Sequence, residues 1–257
     1  MGPPRERHVW DDMAGVRASR SWPLDQVLHV LSSGDMTAIE LIPWGSNYTF
    51  AVRLQCDGCA TLAVYKPLRG EAPLWDFPPG LYRREYASYV VAGLLGWDFI
   101  PPTIVRDGQH GIGSVQLFVE HDGGADYFSF RSTCADELKR MCAFDVIVNN
   151  ADRKAGHCLK GADGRLWGID HGLTFNVQPK LRTVIWDYGG EAIPQSLVDD
   201  LLDFRTDGAR LRELYAAVGD CLAKDELAMF LKRIDRLIEE PVYPAPYSRR
   251  SHPWPLY

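Results

Sequence analysis

Two short acidic motifs place their aspartates eighteen residues apart. The first is Asn149-Asn150-Ala151-Asp152-Arg153-Lys154-Ala155-Gly156-His157, and the second is Gly168-Ile169-Asp170-His171-Gly172. Between them, Asp163-Gly164 has the composition of a tight turn, so Cys158-Leu159 and Leu166 to Ile169 are predicted to form a β-hairpin. That hairpin brings Asp152, His157 and Asp170 together. Two carboxylates and a third ligand suit a divalent metal ion, and hard oxygen donors suit magnesium. Asp152 sits in a polar loop after an apolar helix, the place for a catalytic base. Asp170 emerges at a strand end just before Gly172, where a carboxylate is ready to hold metal. Taken singly, each aspartate also reads as an Asx turn or helix cap. Taken together they point to phosphoryl transfer, a reaction that needs positioning and charge neutralisation more than covalent chemistry.

Phosphoryl transfer also needs a cation on the phosphates of the donor. Lys66 ends the apolar run Leu62-Ala63-Val64-Tyr65-Lys66, and Pro67 stops strand pairing after it. Glu85 on the following helix is placed to pair with Lys66 and hold its ammonium, with Glu71 as a competing partner. A strand-end lysine and a helix glutamate are otherwise ordinary solvated residues. Trp44-Gly45-Ser46-Asn47 lies between two predicted strands, where the amides of Gly45 and Ser46 could cover phosphates. Such a turn is common without that role. Neither GxxxxGK[ST] nor GxGxxG is present, which excludes a P-loop enzyme and argues against a dinucleotide-binding Rossmann site.

These residues must be held by an α+β scaffold. A short helix is predicted at residues 23–31, then strands at 38–42, 48–55 and 60–66. The middle strand alternates Tyr48, Phe50, Val52 and Leu54 against Thr49, Ala51, Arg53 and Gln55, a period of two. A proline-rich loop over 67–80 precedes a helix over 82–95, with Gly96 at its C-terminal cap. Strands over 103–106 and 114–119 flank an expected turn at Asp107-Gly108. Helices follow at 136–148, 194–203, 208–218 and 224–238. The expectation is an N-terminal extension (1–22), a small antiparallel-sheet lobe with one helix (23–120) and a larger, mostly helical lobe (121–257). A cleft at such a lobe boundary is the default place for a ligand.

Composition removes other classes. The chain has 257 residues, 46% apolar and 24% charged, and a formal net charge of −6. That charge offers no general basic field for nucleic acid or anionic membrane. The arginine pairs Arg83-Arg84 and Arg249-Arg250 read as solvated faces. No run approaches the roughly 18 apolar residues of a membrane span. The first residues have no apolar core for a signal peptide and match a myristoylation site poorly. The expectation is a soluble, cytoplasmic protein. Of six cysteines, Cys56-Asp57-Gly58-Cys59 forms the one CxxC. It reads first as a hairpin turn. A structural zinc site would need a second ligand pair that Cys134 and Cys142 do not supply, and redox chemistry is the other alternative.

The order of a strand lysine, a helix glutamate, Asp-Arg-x-x-x-ligand and Ile-Asp-x-Gly resembles the phosphatidylinositol 3- and 4-kinase-like branch of the protein-kinase-like fold. That branch also includes HipA-type kinases. The strongest likeness is to an actinobacterial family labelled phosphatidylinositol-kinase-like. It rests on Tyr65-Lys66-Pro67, Arg84-Glu85-Tyr86-Ala87, Trp97 to Thr103, Phe144 to His157 and Ile169-Asp170-His171-Gly172, within residues 38–190. The resemblance implies a two-lobed kinase fold that uses ATP with Mg²⁺ or Mn²⁺. It implies that Lys66 contacts phosphates, Glu85 pairs with Lys66, Asp152 is catalytic and Asp170 is the main metal ligand. The strand carrying Gln116, Phe118 and Val119 would hold adenine. Two positions depart from the family pattern. His157 stands where a second metal ligand is usually Asn, and imidazole suits manganese better than magnesium. Lys154 stands where His is frequent. It could steady the γ-phosphate, or mark a pseudokinase that binds nucleotide or protein without transfer. The lipid substrate is not carried over, because Leu173 to Arg182 offers only Lys180 and Arg182 as basic residues for a headgroup. The expected acceptor is a hydroxyl on a protein or small polar molecule.

Overall fold

Alternating apolar residues and tight turns build a five-stranded antiparallel sheet in the N-terminal half. In the computed structural model, which describes residues 22–43 and 47–257, the strands are β1 (Asp35–Ile42), β2 (Thr49–Cys56), β3 (Cys59–Pro67), β4 (Thr103–Gly108) and β5 (Gly111–Leu117). Their order is β1-β2-β3-β5-β4. Gly45 and Ser46, expected to cover phosphates, lie outside the described residues. Helix α1 (Leu24–Ser33) packs Val27, Val30 and Leu31 against Val52, Leu54, Tyr65 and Val115 of the sheet. Burying one such aliphatic side chain stabilises the fold by about 1.5–3 kcal/mol.

The expected turn at Asp107-Gly108 is two residues too early. Both residues are still paired in the β4–β5 ladder, and Gln109 and His110 make the turn, with Gly111 at φ +93°. Gly108 is small for a different reason. A Cβ there would lie 2.7 Å from the ring of Tyr65.

The chain divides into two units. The first comprises residues up to Tyr82 together with Pro102–Phe118, and the second comprises Arg83–Pro101 and Val119–Tyr257. Helix α2 (Leu81–Leu94) starts in the first unit, where the Glu71 carboxylate accepts from the amides of Gly80 (2.7 Å) and Tyr82 (3.1 Å). Glu71 therefore serves as a helix-end acceptor. From Arg83 onward the segment groups with the second unit, where an N-terminal-lobe position was expected. Ala87, Val91, Leu95 and Trp97 join the larger core there, and the Trp97 indole donates to Asp200 at 2.7 Å.

The second unit is mostly helical. A short helix α3 (Tyr127–Phe130) is capped by Asp126, and α4 (Ala135–Val148) runs through the core. The hairpin β6 (Cys158–Lys160) and β7 (Leu166–Gly168) follows, then α5 (Gln195–Thr206), α6 (Gly208–Val218) and α7 (Lys224–Glu239). Phe144, Ile147, Phe204, Phe230 and Ile234 are fully buried at the centre. Arg84, expected on a solvated face, is also buried. Its guanidinium pairs with Glu226 and donates to the carbonyl of Thr174. Among the described residues, no helix is long and apolar enough to cross a membrane.

Candidate functional site

The candidate loop begins where α4 stops. Asn149 caps the helix in the left-handed conformation (φ +56°), which asparagine tolerates better than most residues. Its side chain donates to the carbonyls of Asn176 (2.9 Å) and Gln178 (2.7 Å) and accepts from the Lys180 amide (2.8 Å). Asn150 donates to Asp145 Oδ1 at 2.9 Å and accepts from the Asp152 amide at 3.0 Å. These bonds fix the backbone on which Asp152 sits.

Arg153 is the hub beneath that loop. Its side chain is fully buried, as is that of Asp145. All five guanidinium donors are used. Nε and Nη2 bond the Asp145 carboxylate at 3.0 and 2.8 Å, and Nη2 also meets His171 Nε2 at 2.6 Å. Nη1 donates to the carbonyls of Ile169 (3.0 Å) and His157 (3.3 Å). Burial works against the Arg153 charge, but the Asp145 carboxylate outweighs it and holds the guanidinium above its ordinary pKa. Because a guanidinium only donates, His171 Nε2 must accept, so that ring carries its proton on Nδ1. One side chain thus connects α4, the Asp152 loop and the Asp170 motif.

Above this hub, Lys154 Nζ lies 3.2 Å from Asp152 Oδ2, and both side chains are largely shielded. Burial raises the Asp152 carboxyl. Lys154 pulls it down, the nearby Asp170 charge raises it, and the result is pushed up to about 6. His157 Nε2 lies 3.1 Å from Asp170 Oδ2. Asp170 adopts φ +60°, a left-handed backbone that few side chains accept, and its carboxylate is nearly half exposed. Glu85 is buried, and its Oε2 accepts from the His171 amide at 2.8 Å, beside the Asp170 turn. The C-terminal segment also reaches the loop, because the Ala155 amide donates to the carbonyl of Leu256 at 2.8 Å.

The His157 ring tests whether these residues fit a cation. Nδ1 lies 3.0 Å from the Asp152 carbonyl and 3.4 Å from the Lys154 amide. The shorter contact requires a proton on Nδ1. Nε2 of the neutral ring then presents a lone pair toward the Asp170 carboxylate. Two acceptors at that separation need a proton or a cation between them: a second ring proton makes an ion pair with Asp170, and a divalent ion could take the same two donor atoms. The donor set is one imidazole nitrogen and one carboxylate oxygen.

Of the remaining predicted residues, Lys66, Gln116 and Phe118 belong to the first unit. Lys66 is half-buried on β3 of the first unit, in register with Ser114. Gln116 is inside the sheet between Val64 and Thr103, and its amide donates to Thr103 Oγ1 at 2.8 Å. The Phe118 amide still pairs with the Leu62 carbonyl at 3.0 Å, and Val119 is the first residue of the second unit.

Several comparisons with known proteins bear on this arrangement. A family model described as phosphatidylinositol 3- and 4-kinase matches residues 104–215. Protein Rv2133c of Mycobacterium tuberculosis is 36% identical over 265 residues, covering 89% of this chain and 94% of that protein. Phosphatidylinositol 4-kinase gamma 4 of Oryza sativa subsp. japonica is 29% identical over 172 residues, which span 52% of this chain and 30% of the plant protein. Among solved structures, the Golgi casein kinase with Mn/ADP bound aligns with a TM-score of 0.55 at 14% identity, over 84% of this chain and 74% of that one. The Helicobacter pylori proinflammatory kinase CtkA aligns with a TM-score of 0.51 at 11% identity, over 83% of this chain and 94% of that one. The fold is thus the two-lobed protein-kinase-like α+β fold, with a small antiparallel-sheet lobe and a larger, mostly helical one. The chain belongs to one family with the mycobacterial Rv2133c, and its residues 104–215 are similar to the phosphatidylinositol 3- and 4-kinase family.

Sequence reasoning missed Asp145 as a partner of the loop. The available signal was a carboxylate inside the apolar run Ala143-Phe144-Asp145-Val146-Ile147. A charge there must find a buried counter-charge, and Arg153 was the nearest cation in the following loop.

Proposed function

We propose that the chain is a metal-dependent, ATP-using phosphotransferase, an atypical kinase that acts on a hydroxyl of a protein or small polar acceptor. The observation that carries this reading is the Asp152 carboxylate. It is shielded, pushed up to about 6, held 3.2 Å from Lys154, and anchored next to the His157–Asp170 pair. A base with a pKa near the working pH is ionised and can still accept a proton in the transition state.

In this reading Asp152 orients the acceptor hydroxyl and takes its proton. Lys154 offsets negative charge on the phosphoryl group in transfer. Asp170 and His157 would hold Mg²⁺ or Mn²⁺, and the imidazole favours manganese. A bound ion would supply charge neutralisation at the phosphate oxygens. Lys66 would contribute a cation to the phosphates, the Gly45-Ser46 segment would contribute amides, and the segment from Gln116 through Phe118 to Val119, where β5 ends, would hold adenine. Glu85 steadies the Asp170 turn through the His171 amide.

A polar acceptor is favoured over a lipid because the segment after Gly172 is tied back to Asn149 and carries few basic residues. The net charge of −6 likewise argues against nucleic acid as a partner. Six free thiols suit a reducing, cytoplasmic compartment.

Calorimetry of ATP binding with Mg²⁺, with Mn²⁺ and with EDTA tests the assignment. Metal-dependent binding is expected for the wild type and lost in Asp170→Ala. Unchanged ATP affinity in that variant would remove Asp170 as the metal ligand. Tight nucleotide binding without turnover would favour the pseudokinase alternative.

A further inference from the structure

The first unit carries a second cluster of metal-binding side chains, unrelated to the Asp152 loop. Asp57 and Gly58 form the two-residue turn of the β2–β3 hairpin, with φ of +50° and +76°. Positive φ at both central residues is the tight hairpin geometry that Asp-Gly favours, so the turn is locally fixed. Cys56 and Cys59 are the register pair that closes it. On α1, Val27, Val30 and Leu31 face the core while His29 is exposed. The ring of His29 reaches the hairpin tip.

Three donor atoms converge there. His29 Nε2 lies 3.3 Å from Asp57 Oδ2 and 3.6 Å from Cys56 Sγ, and Cys56 Sγ lies 3.4 Å from Asp57 Oδ2. A tetrahedral zinc ion has bonds of roughly 2.0–2.1 Å to nitrogen and oxygen and about 2.3 Å to sulfur. The edges of that tetrahedron are therefore about 3.3 Å (N to O), about 3.6 Å (N to S) and about 3.5 Å (S to O). All three observed separations fall on these edges to within about 0.1 Å. The three side chains hydrogen-bond to one another at these lengths, so the donor atoms already stand at tetrahedral spacing before an ion enters.

We propose that His29, Cys56 and Asp57 form a binding site for a thiophilic divalent cation of the zinc class, with solvent in the fourth position. Among the described residues, these three form the one group of three or more His, Cys, Asp or Glu side chains whose donor atoms are all mutually close enough for one ion. Cys59 stays outside it, engaged by the Gln26 amide at 3.3 Å. On binding, the Cys56 S–H proton passes to solvent and the thiolate lone pair forms the bond to the ion, with no change of oxidation state. The ion fastens α1 to the hairpin tip.

The test uses the full chain, reduced and metal-free, titrated with Co²⁺ as a spectroscopic substitute for zinc. One equivalent is expected to produce a thiolate-to-cobalt charge-transfer band in the near ultraviolet, displaced by one equivalent of Zn²⁺. Cobalt held by Asp170 and His157 gives no such band, since that donor set has no sulfur. The band is expected to vanish in Cys56→Ser and to persist in Cys59→Ser. His29→Gln changes an exposed helix position outside the core and is expected to weaken binding by at least about tenfold. Absence of the band at one equivalent would overturn the proposal. So would a band that survives Cys56→Ser, or unchanged affinity in His29→Gln.

Discussion

Replacing Asp152 with asparagine is expected to stabilise the metal-free chain at neutral pH while it removes the proposed base. The Asp152 carboxyl is raised from an ordinary 3.8 to about 6, chiefly by burial. The native state therefore holds this proton to a higher pH than the unfolded chain does. The contribution of this group to stability falls as pH rises from about 4 to about 6, then levels off. A tenfold change in acidity is worth about 1.4 kcal/mol, so carrying the charged form above pH 7 costs about 3 kcal/mol. Asparagine has the shape of the neutral acid and escapes that cost. The attraction of Lys154 for the carboxylate is already included in that cost. A net stabilisation of about 1–3 kcal/mol is expected at pH 7.5, shrinking toward zero near pH 4. Urea unfolding in EDTA at both pH values measures it. A variant that is less stable than wild type at pH 7.5, or a difference that ignores pH, would refute the claim that Asp152 is held charged at a cost.

Other outcomes follow from the same geometry. Arg153→Met leaves the Asp145 carboxylate buried without its counter-charge and should cost about 3–5 kcal/mol, while a second change, Asp145→Leu, should recover most of it; urea unfolding of the single and double variants checks both. Gly168→Ala places a Cβ 3.0 Å from the Phe99 ring and should cost about 1–3 kcal/mol, read as a lower melting temperature. The rate of phosphoryl transfer should rise with pH as Asp152 loses its proton and level off above a midpoint no higher than about 6, because a bound cation favours the carboxylate; a rate that falls steadily as pH rises from about 4 to about 7 would contradict its role as base.

Much of the framework is legible from local pattern. Period-two alternation and an Asp-Gly turn identify β2 and β3, and both aspartate motifs stand around a hairpin as the Asp163-Gly164 turn predicts. What escaped depends on partners far away in sequence. Arg84 reads as a surface residue until Glu226, on α7, is seen to receive it. Asp107-Gly108 has the composition of a turn, but the small residue is demanded by the Tyr65 ring on another strand. His29 carried no local signal, since its partners Cys56 and Asp57 lie on a different element. Glu85 was predicted as a helix carboxylate with a single partner in view. Its bond to the His171 amide, 86 residues away, requires the tertiary fold. Alternation and turn composition report neighbours along the chain, whereas buried charges report their partners only after folding.

The most direct test of the central claim is ADP formation from ATP with saturating Mn²⁺ or Mg²⁺ and a broad mixture of protein and small hydroxyl acceptors. Wild type and Asp152→Asn would be compared, with ATP affinity measured on the same samples. The account predicts turnover by the wild type that falls at least about 100-fold in the variant, with ATP affinity nearly unchanged. Equal rates in the two proteins, or no turnover by the wild type with either metal, would contradict it.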